Sequence, residues 1–204
     1  MNKKNIIIVI ICLVIFFIFL ALLLTDTISG FDNSIYNLLI SLKSNITTYI
    51  FKFFTILCST KFIAGVIVGL LVVSIITKNL DKGLYVSLCL IICALLTQFV
   101  KFIVHRPRPA GINMIEENGF SFPSGHSMIS MAFYGMLIYL LYKSGFRKIT
   151  KVILTIVLVL FIILTGISRI YLGVHYASDV CAAYALSLAY LIIYINIANK
   201  KMKS

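Results

Sequence analysis

His175 and Asp179 stand four residues apart, a spacing that on a helix sets the carboxylate beside the imidazole, where it holds one ring nitrogen protonated and leaves the other free to attack. His126 then remains as a proton donor to a departing oxygen. Lys101, Arg108 and Arg169 supply one point-like and two forked cationic groups, and a guanidinium fork fits phosphate oxygens in a way that an ammonium does not. Ser124 and Gly125 stand where a further helix is expected to open, so backbone N–H groups and the positive helix end can bind another oxygen, with Gly125 leaving room for it. A nucleophile with its orienting acid, a separate general acid and a cationic cradle make up a site for phosphoryl transfer. Asp179 is the one carboxylate in this set and is assigned to His175, so neither a metal nor another cofactor is expected.

Taken singly, the same residues read otherwise. Lys101 alone is a snorkelling anchor, Arg106 and Arg108 are headgroup contacts, and Pro123 and Gly125 are helix breakers. Ser124 or Asp179 alone is a helix cap, and either histidine is an ordinary polar residue. Their joint placement favours chemistry. Arg106 and His105 stay open, the first between orienting a loop and touching headgroups, the second as a side chain that faces water.

The elements that must bring these residues together are membrane spans. Of 204 residues, 61% are hydrophobic and 12% charged, and the mean hydropathy is +1.09, whereas water-soluble domains carry about 25% charged residues. A soluble enzyme is thereby excluded. Uncharged apolar runs cover Ile6–Leu24, Phe62–Thr77, Leu84–Val100, Met128–Tyr142, Val152–Ser168 and Val180–Asn199, several close to the lower limit of the about 20 residues that cross a bilayer. The first run is longer than a signal-peptide core and lacks an Ala-x-Ala cleavage site, so it reads as a span. The expectation is an all-α fold, a six-span transmembrane helical bundle forming one integral-membrane domain over residues 1–204. Between the first two spans, Phe31, Ile35, Leu38, Leu39, Leu42, Ile46, Tyr49, Ile50 and Phe53 recur every three or four residues, with Asp32, Asn37, Lys43 and Asn45 interspersed. That pattern predicts an amphipathic interfacial helix over about residues 31–54, either covering the bundle or admitting lipid. Five cysteines in or beside apolar runs argue against a disulfide framework, and Cys89 and Cys93 read as packing residues.

Because consecutive spans alternate in direction, the end of the third (Lys101), the start of the fourth (Pro123 to His126), the end of the fifth (Ser168, Arg169) and the start of the sixth (His175, Asp179) reach one membrane face. Orientation follows from Lys and Arg placement. The N-terminus (Lys3, Lys4), the second-to-third loop (Lys78, Lys82), the fourth-to-fifth loop (Lys143, Arg147, Lys148, Lys151) and the C-terminus (Lys200, Lys201, Lys203) carry eleven, against seven on the opposite side. Setting aside Lys101, Arg108 and Arg169 as ligand-binding leaves four there. Both termini are therefore expected in the cytoplasm and the site outside. The net charge of +12 reflects topology and an anionic ligand rather than nucleic acid.

At these positions the sequence resembles the type 2 phosphatidic acid phosphatase family, the membrane relatives of the vanadium-dependent haloperoxidases. The residues that carry the resemblance are Lys101-x6-Arg108-Pro109, Pro123-Ser124-Gly125-His126 and Ser168-Arg169-x5-His175-x3-Asp179, within about residues 84–195. The resemblance implies a cell-membrane lipid phosphatase with its site near the outer surface and no metal. It implies a phosphohistidine at His175, oriented by Asp179, with His126 protonating the leaving group and then activating water. Lys101, Arg108, Arg169, Ser124 and Gly125 would hold the phosphoryl oxygens. The implied substrates are lipid phosphates or diphosphates: phosphatidylglycerol phosphate, phosphatidic acid or undecaprenyl diphosphate. The alternative is a transporter or lipid-binding membrane protein that holds phosphate without turnover.

Overall fold

A computed structural model of the chain describes residues 1–78, 80–110 and 113–201, with Thr60, Lys82, Lys200 and Lys201 described through their backbone alone. Lys203 of the charge count lies outside the described residues. Among the described residues eight helices follow in order: α1 (Lys3–Leu24), α2 (Ser29–Ile40), α3 (Asn45–Ile56), α4 (Thr60–Ile76), α5 (Leu80–Val104), α6 (Gly125–Lys143), α7 (Lys148–Tyr171) and α8 (Ala177–Lys201). The all-α class is as expected, and each of the six apolar runs falls on one helix. Four helices, α1, α5, α7 and α8, are long and apolar enough to cross a membrane, and α3 with α4, bent by 42° at their junction, makes a fifth candidate. α6, which carries the fourth run, opens on Gly125-His126-Ser127 and is not among these candidates.

α8 packs on α1 and α6 most extensively, and also on α2, α5 and α7. The reason lies in its small buried residues, Ala182, Ala183, Ala185, Ser187 and Ala189. Lipid tails are as apolar as any side chain, so helices associate in a membrane through close backbone approach and interhelical hydrogen bonds. Gly166 on α7 makes room for side chains of α8, since a Cβ there would lie 2.2 Å from Tyr184 Oη and 2.6 Å from Val180 Cγ1. Ile7, Ile11 and Phe17 on α1, Leu95 and Phe99 on α5, and Ile153 and Ile156 on α7 stay exposed, as lipid-facing surfaces must.

The single amphipathic helix expected over residues 31–54 is instead two. The break falls at Ser44, whose Oγ accepts from Thr47 N–H at 3.1 Å while Thr47 Oγ1 accepts from Ser44 N–H at 2.9 Å, a reciprocal cap that starts α3 anew. Neither helix lies loose on a surface: α2 packs on α7 and α8, and α3 packs on α7. Asp32 and Thr55 are their buried residues.

The turn from α7 to α8 is set by Gly173, at φ 74°, the left-handed conformation that glycine adopts without steric cost. Its N–H donates to Ile170 O at 3.0 Å and the Val174 N–H to Arg169 O at 3.2 Å, the paired bonds that close a helix C-terminus. The His175 N–H also donates to Arg169 O at 3.2 Å, so His175 is tied to the backbone of Arg169. Gly166→Ala should push α7 from α8 and cost about 1–3 kcal/mol, read as a lower unfolding temperature in detergent micelles. An unchanged unfolding temperature would mean that the α7–α8 contact accommodates the methyl group.

Candidate active site

Asp179 occupies the first turn of α8, where its Oδ2 accepts from the Tyr176 N–H at 2.9 Å, one of the donors a helix start leaves unmatched. The same oxygen accepts from Ser121 Oγ and faces His175 Nδ1 at 3.3 Å. Oδ1 accepts from Arg106 Nη1 at 2.5 Å. The carboxylate is fully buried, and His175 is 2% exposed. On the far side of the ring, His175 Nε2 stands 3.2 Å from Arg108 Nη1. These contacts assign the proton to Nδ1 and a lone pair to Nε2. Burial pushes the imidazole below its ordinary 6.5, to about 4, with Asp179 opposing and Arg169 and Lys101 reinforcing the shift. The ring is therefore a free base at neutral pH.

The cations are pre-set by the backbone. Arg108 donates to the carbonyls of Gly119, Asn118 and Val174, each at 2.9 Å, and Lys101 Nζ donates to Phe120 O. Arg169 is fully buried, with Nη1 3.4 Å from Thr55 Oγ1 and Nε without a hydrogen-bond partner among the described residues. Its Nη2 pairs with Glu117, whose other oxygen lies 4.0 Å from Arg108. Burial alone would raise the Glu117 carboxyl, but Arg169 and Arg108 outweigh it and hold the group below its ordinary value. A carboxylate thus sits against the two guanidinium groups that sequence reasoning reserved for an anion.

A cavity of about 700 Å³ joins this charged end to an apolar groove. Lys101, Arg108, Glu117, Gly125, His126 and His175 line the first, and Ile63, Ile67, Leu90, Ile91, Leu95 and Phe102 of α4 and α5 line the second. The structure thereby gathers every residue singled out in the sequence at one end of the bundle, though not all at the cavity wall. Ser124 is fully buried; its Oγ accepts from Ser127 Oγ at 3.0 Å and its N–H donates to Asp179 O at 3.2 Å, so it joins α6 to α8. At Gly125 an added Cβ would meet only Thr97 Cγ2, at 3.7 Å, so packing does not demand the glycine.

Arg106 is no headgroup contact. It is buried and forks between Asp179 and Asp32, with the Tyr176 ring 3.8 Å from Cζ. His105 is exposed, as expected, and meets Phe120 edge-on at 4.3 Å. Sequence reasoning missed Asp32, Glu117, Ser121 and Ser178. Of these, Ser178 lies within the third motif, next to Asp179, and Ser121 two residues before Pro123; Asp32 and Glu117 stand apart from all three motifs.

A sequence profile of the PAP2 superfamily matches residues 82–203. The chain belongs to that superfamily. Phosphatidylglycerophosphatase B of Bacillus subtilis (strain 168) is 38% identical over 99 residues, which are 46% of this chain and 47% of that protein, so this match spans about half of its length. The crystal structure of the first transmembrane PAP2 type phosphatidylglycerolphosphate phosphatase from Bacillus subtilis superposes with a TM-score of 0.85 at 28% identity, covering 94% of this chain and 96% of that one. Aquifex aeolicus LpxE superposes with a TM-score of 0.64 at 21% identity, covering 81% and 95%, and shares the fold. This PAP2 superfamily member is accordingly a multi-pass membrane protein.

Because Glu117 holds Arg169, an anion entering the cavity must compete with it. Glu117→Gln keeps the shape and removes the charge. Orthovanadate and inorganic phosphate should then bind at least about threefold more tightly, measured by calorimetry on the protein in micelles. Unchanged affinities would mean that the anion site lies clear of Glu117.

Proposed function

We propose that the chain is a lipid phosphate phosphatase that works through a phosphohistidine intermediate, with phosphatidylglycerol phosphate as its leading substrate. The observation that carries this is a cavity whose cationic end holds His175, flanked by Asp179 and Arg108, and continues into an apolar groove. A headgroup phosphate in the charged end leaves its tail in the groove and in lipid. The relatives named phosphatidylglycerophosphatase or phosphatidylglycerolphosphate phosphatase support the choice of headgroup.

In the first step the Nε2 lone pair of His175 attacks phosphorus, and the bond to the lipid oxygen breaks. His126 protonates that oxygen as it leaves. Asp179 accepts the Nδ1–H bond and stabilises the positive charge that grows on the ring. Arg108, Arg169 and Lys101 hold the equatorial oxygens, as pre-set donors do best; the start of α6 adds the Gly125 N–H, while the Ser124 N–H is taken by the Asp179 carbonyl. In the second step water attacks phosphorus and gives its proton to His126, the N–P bond breaks, and inorganic phosphate leaves. None of these steps calls on a metal.

Purified protein should release phosphate from phosphatidylglycerol phosphate in micelles, with phosphatidic acid and undecaprenyl diphosphate as comparison substrates, and should do so in chelator. His175→Ala should abolish release while lipid binding persists. Hydrolysis of water-soluble esters alone would overturn the lipid reading, and binding with no turnover by the wild type would favour a carrier.

We further propose six spans with both termini in the cytoplasm and the cavity mouth outside, on the eleven-to-four charge distribution and on one helix per apolar run. A cysteine placed at Asn118 in a protein lacking its native cysteines should react with an impermeant thiol reagent from outside intact cells. Labelling only from the cytoplasmic side would reverse the orientation.

A further inference from the structure

Asp32 is the buried residue of α2, a helix that otherwise shows much of its surface, and it lies outside the stretch matched by the PAP2 profile. Its Oδ2 accepts from Arg106 Nη2 at 2.7 Å and from Ser178 Oγ at 2.8 Å, and its Oδ1 accepts from the Ser178 N–H at 2.8 Å. Arg106 in turn sends Nη1 to Asp179 at 2.5 Å and to Ser178 Oγ at 2.8 Å. One guanidinium therefore serves two buried carboxylates, and Tyr176 covers its face.

We infer that Asp32 is a positioning residue for the reaction: by sharing Arg106 it leaves Asp179 with a negative charge uncompensated by its own arginine and directed at His175. The inference rests on the function proposed above. Asp32, Arg106 and Asp179 together carry one net negative charge, which matches the positive charge that the His175 ring acquires when Nε2 bonds to phosphorus. Without Asp32 the remaining pair is neutral, and the ring must become cationic beside a carboxylate whose charge Arg106 already matches in full. The lost stabilisation belongs to the transition state and the intermediate, because the resting ring is neutral. It should therefore appear in kcat rather than in KM.

The test uses full-length wild type, Asp32→Asn, Arg106→Lys and the double variant, each assayed on phosphatidylglycerol phosphate in micelles per amount of monodisperse folded protein. Asp32→Asn keeps the size and the acceptor toward Ser178 while removing the charge. Its kcat should fall by about tenfold with KM within about twofold. The double variant should be no slower than Arg106→Lys alone, because Asp32 acts through the fork. A wild-type kcat in Asp32→Asn overturns the inference, as does a loss confined to KM. If Arg106→Lys does not fold, Asp32→Glu decides in place of the cycle: a kcat restored above that of Asp32→Asn supports the charge, and one no higher refutes it. A wild type inactive on every lipid phosphate would instead refute the proposed function, so the two failures are distinguishable.

Discussion

Burying the Asp179 carboxylate at a membrane-protein helix start imposes the constraint around which the site end of this structure is arranged. An ionised carboxylate out of water is costly unless its lone pairs are met by donors, and here they are met from several directions. The Tyr176 N–H comes from its own helix start, Ser121 and Arg106 from the α5–α6 loop, and His175 from the α7–α8 turn. The Ser124 N–H, at the opening of α6, binds the Asp179 carbonyl. Each partner that answers the carboxylate also fixes an element. The loop that carries Arg108 is held to the turn that carries His175, and the nucleophile proposed above is oriented as a by-product of satisfying one charge.

That polar end is supported by a helix bundle built on a different principle. Within hydrocarbon, packing and not water exclusion holds helices together; the alanines of α8 let its neighbours approach, and Gly166 on α7 makes room for the Tyr184 and Val180 side chains. α7 is joined to α8 by the short turn at Gly173. Arg169 and His175 are thereby linked through one carbonyl, so the spacing of two motif residues is a matter of helix termination as much as of chemistry.

The cavity joins two environments that a soluble pocket seldom combines. Its cationic end would be electrostatically unfavourable if empty of anions, and Glu117 supplies a carboxylate of the chain's own. Even so, the buried Nε of Arg169 has no partner among the described residues, which leaves donor capacity for a phosphate. The groove between α4 and α5, in contrast, is mostly apolar, with Thr97 and Gln98 as its polar side chains on α5.

Much of this was legible without coordinates. The apolar runs marked the helices because hydropathy is a local property, and the three motifs marked the cations, histidines and acid because alternating span direction brings their ends to one face. The break at Ser44 was written in the Ser-x-x-Thr spacing but was masked by a continuous apolar period across residues 31–54. Asp32 was read as part of a polar face, although it shares a helical face with Ile35, Tyr36 and Leu39, which pack on α7 and α8. What the sequence by itself determined was the helical class, the membrane setting and the residues able to do chemistry, since residue type, spacing and hydropathy suffice for these. The tertiary structure alone decided which charges share a partner: Asp32 meets Ser178 across 146 residues and Arg169 meets Glu117 across 52. Such pairings depend on which faces of distant helices and loops touch, and no local pattern in a sequence encodes that.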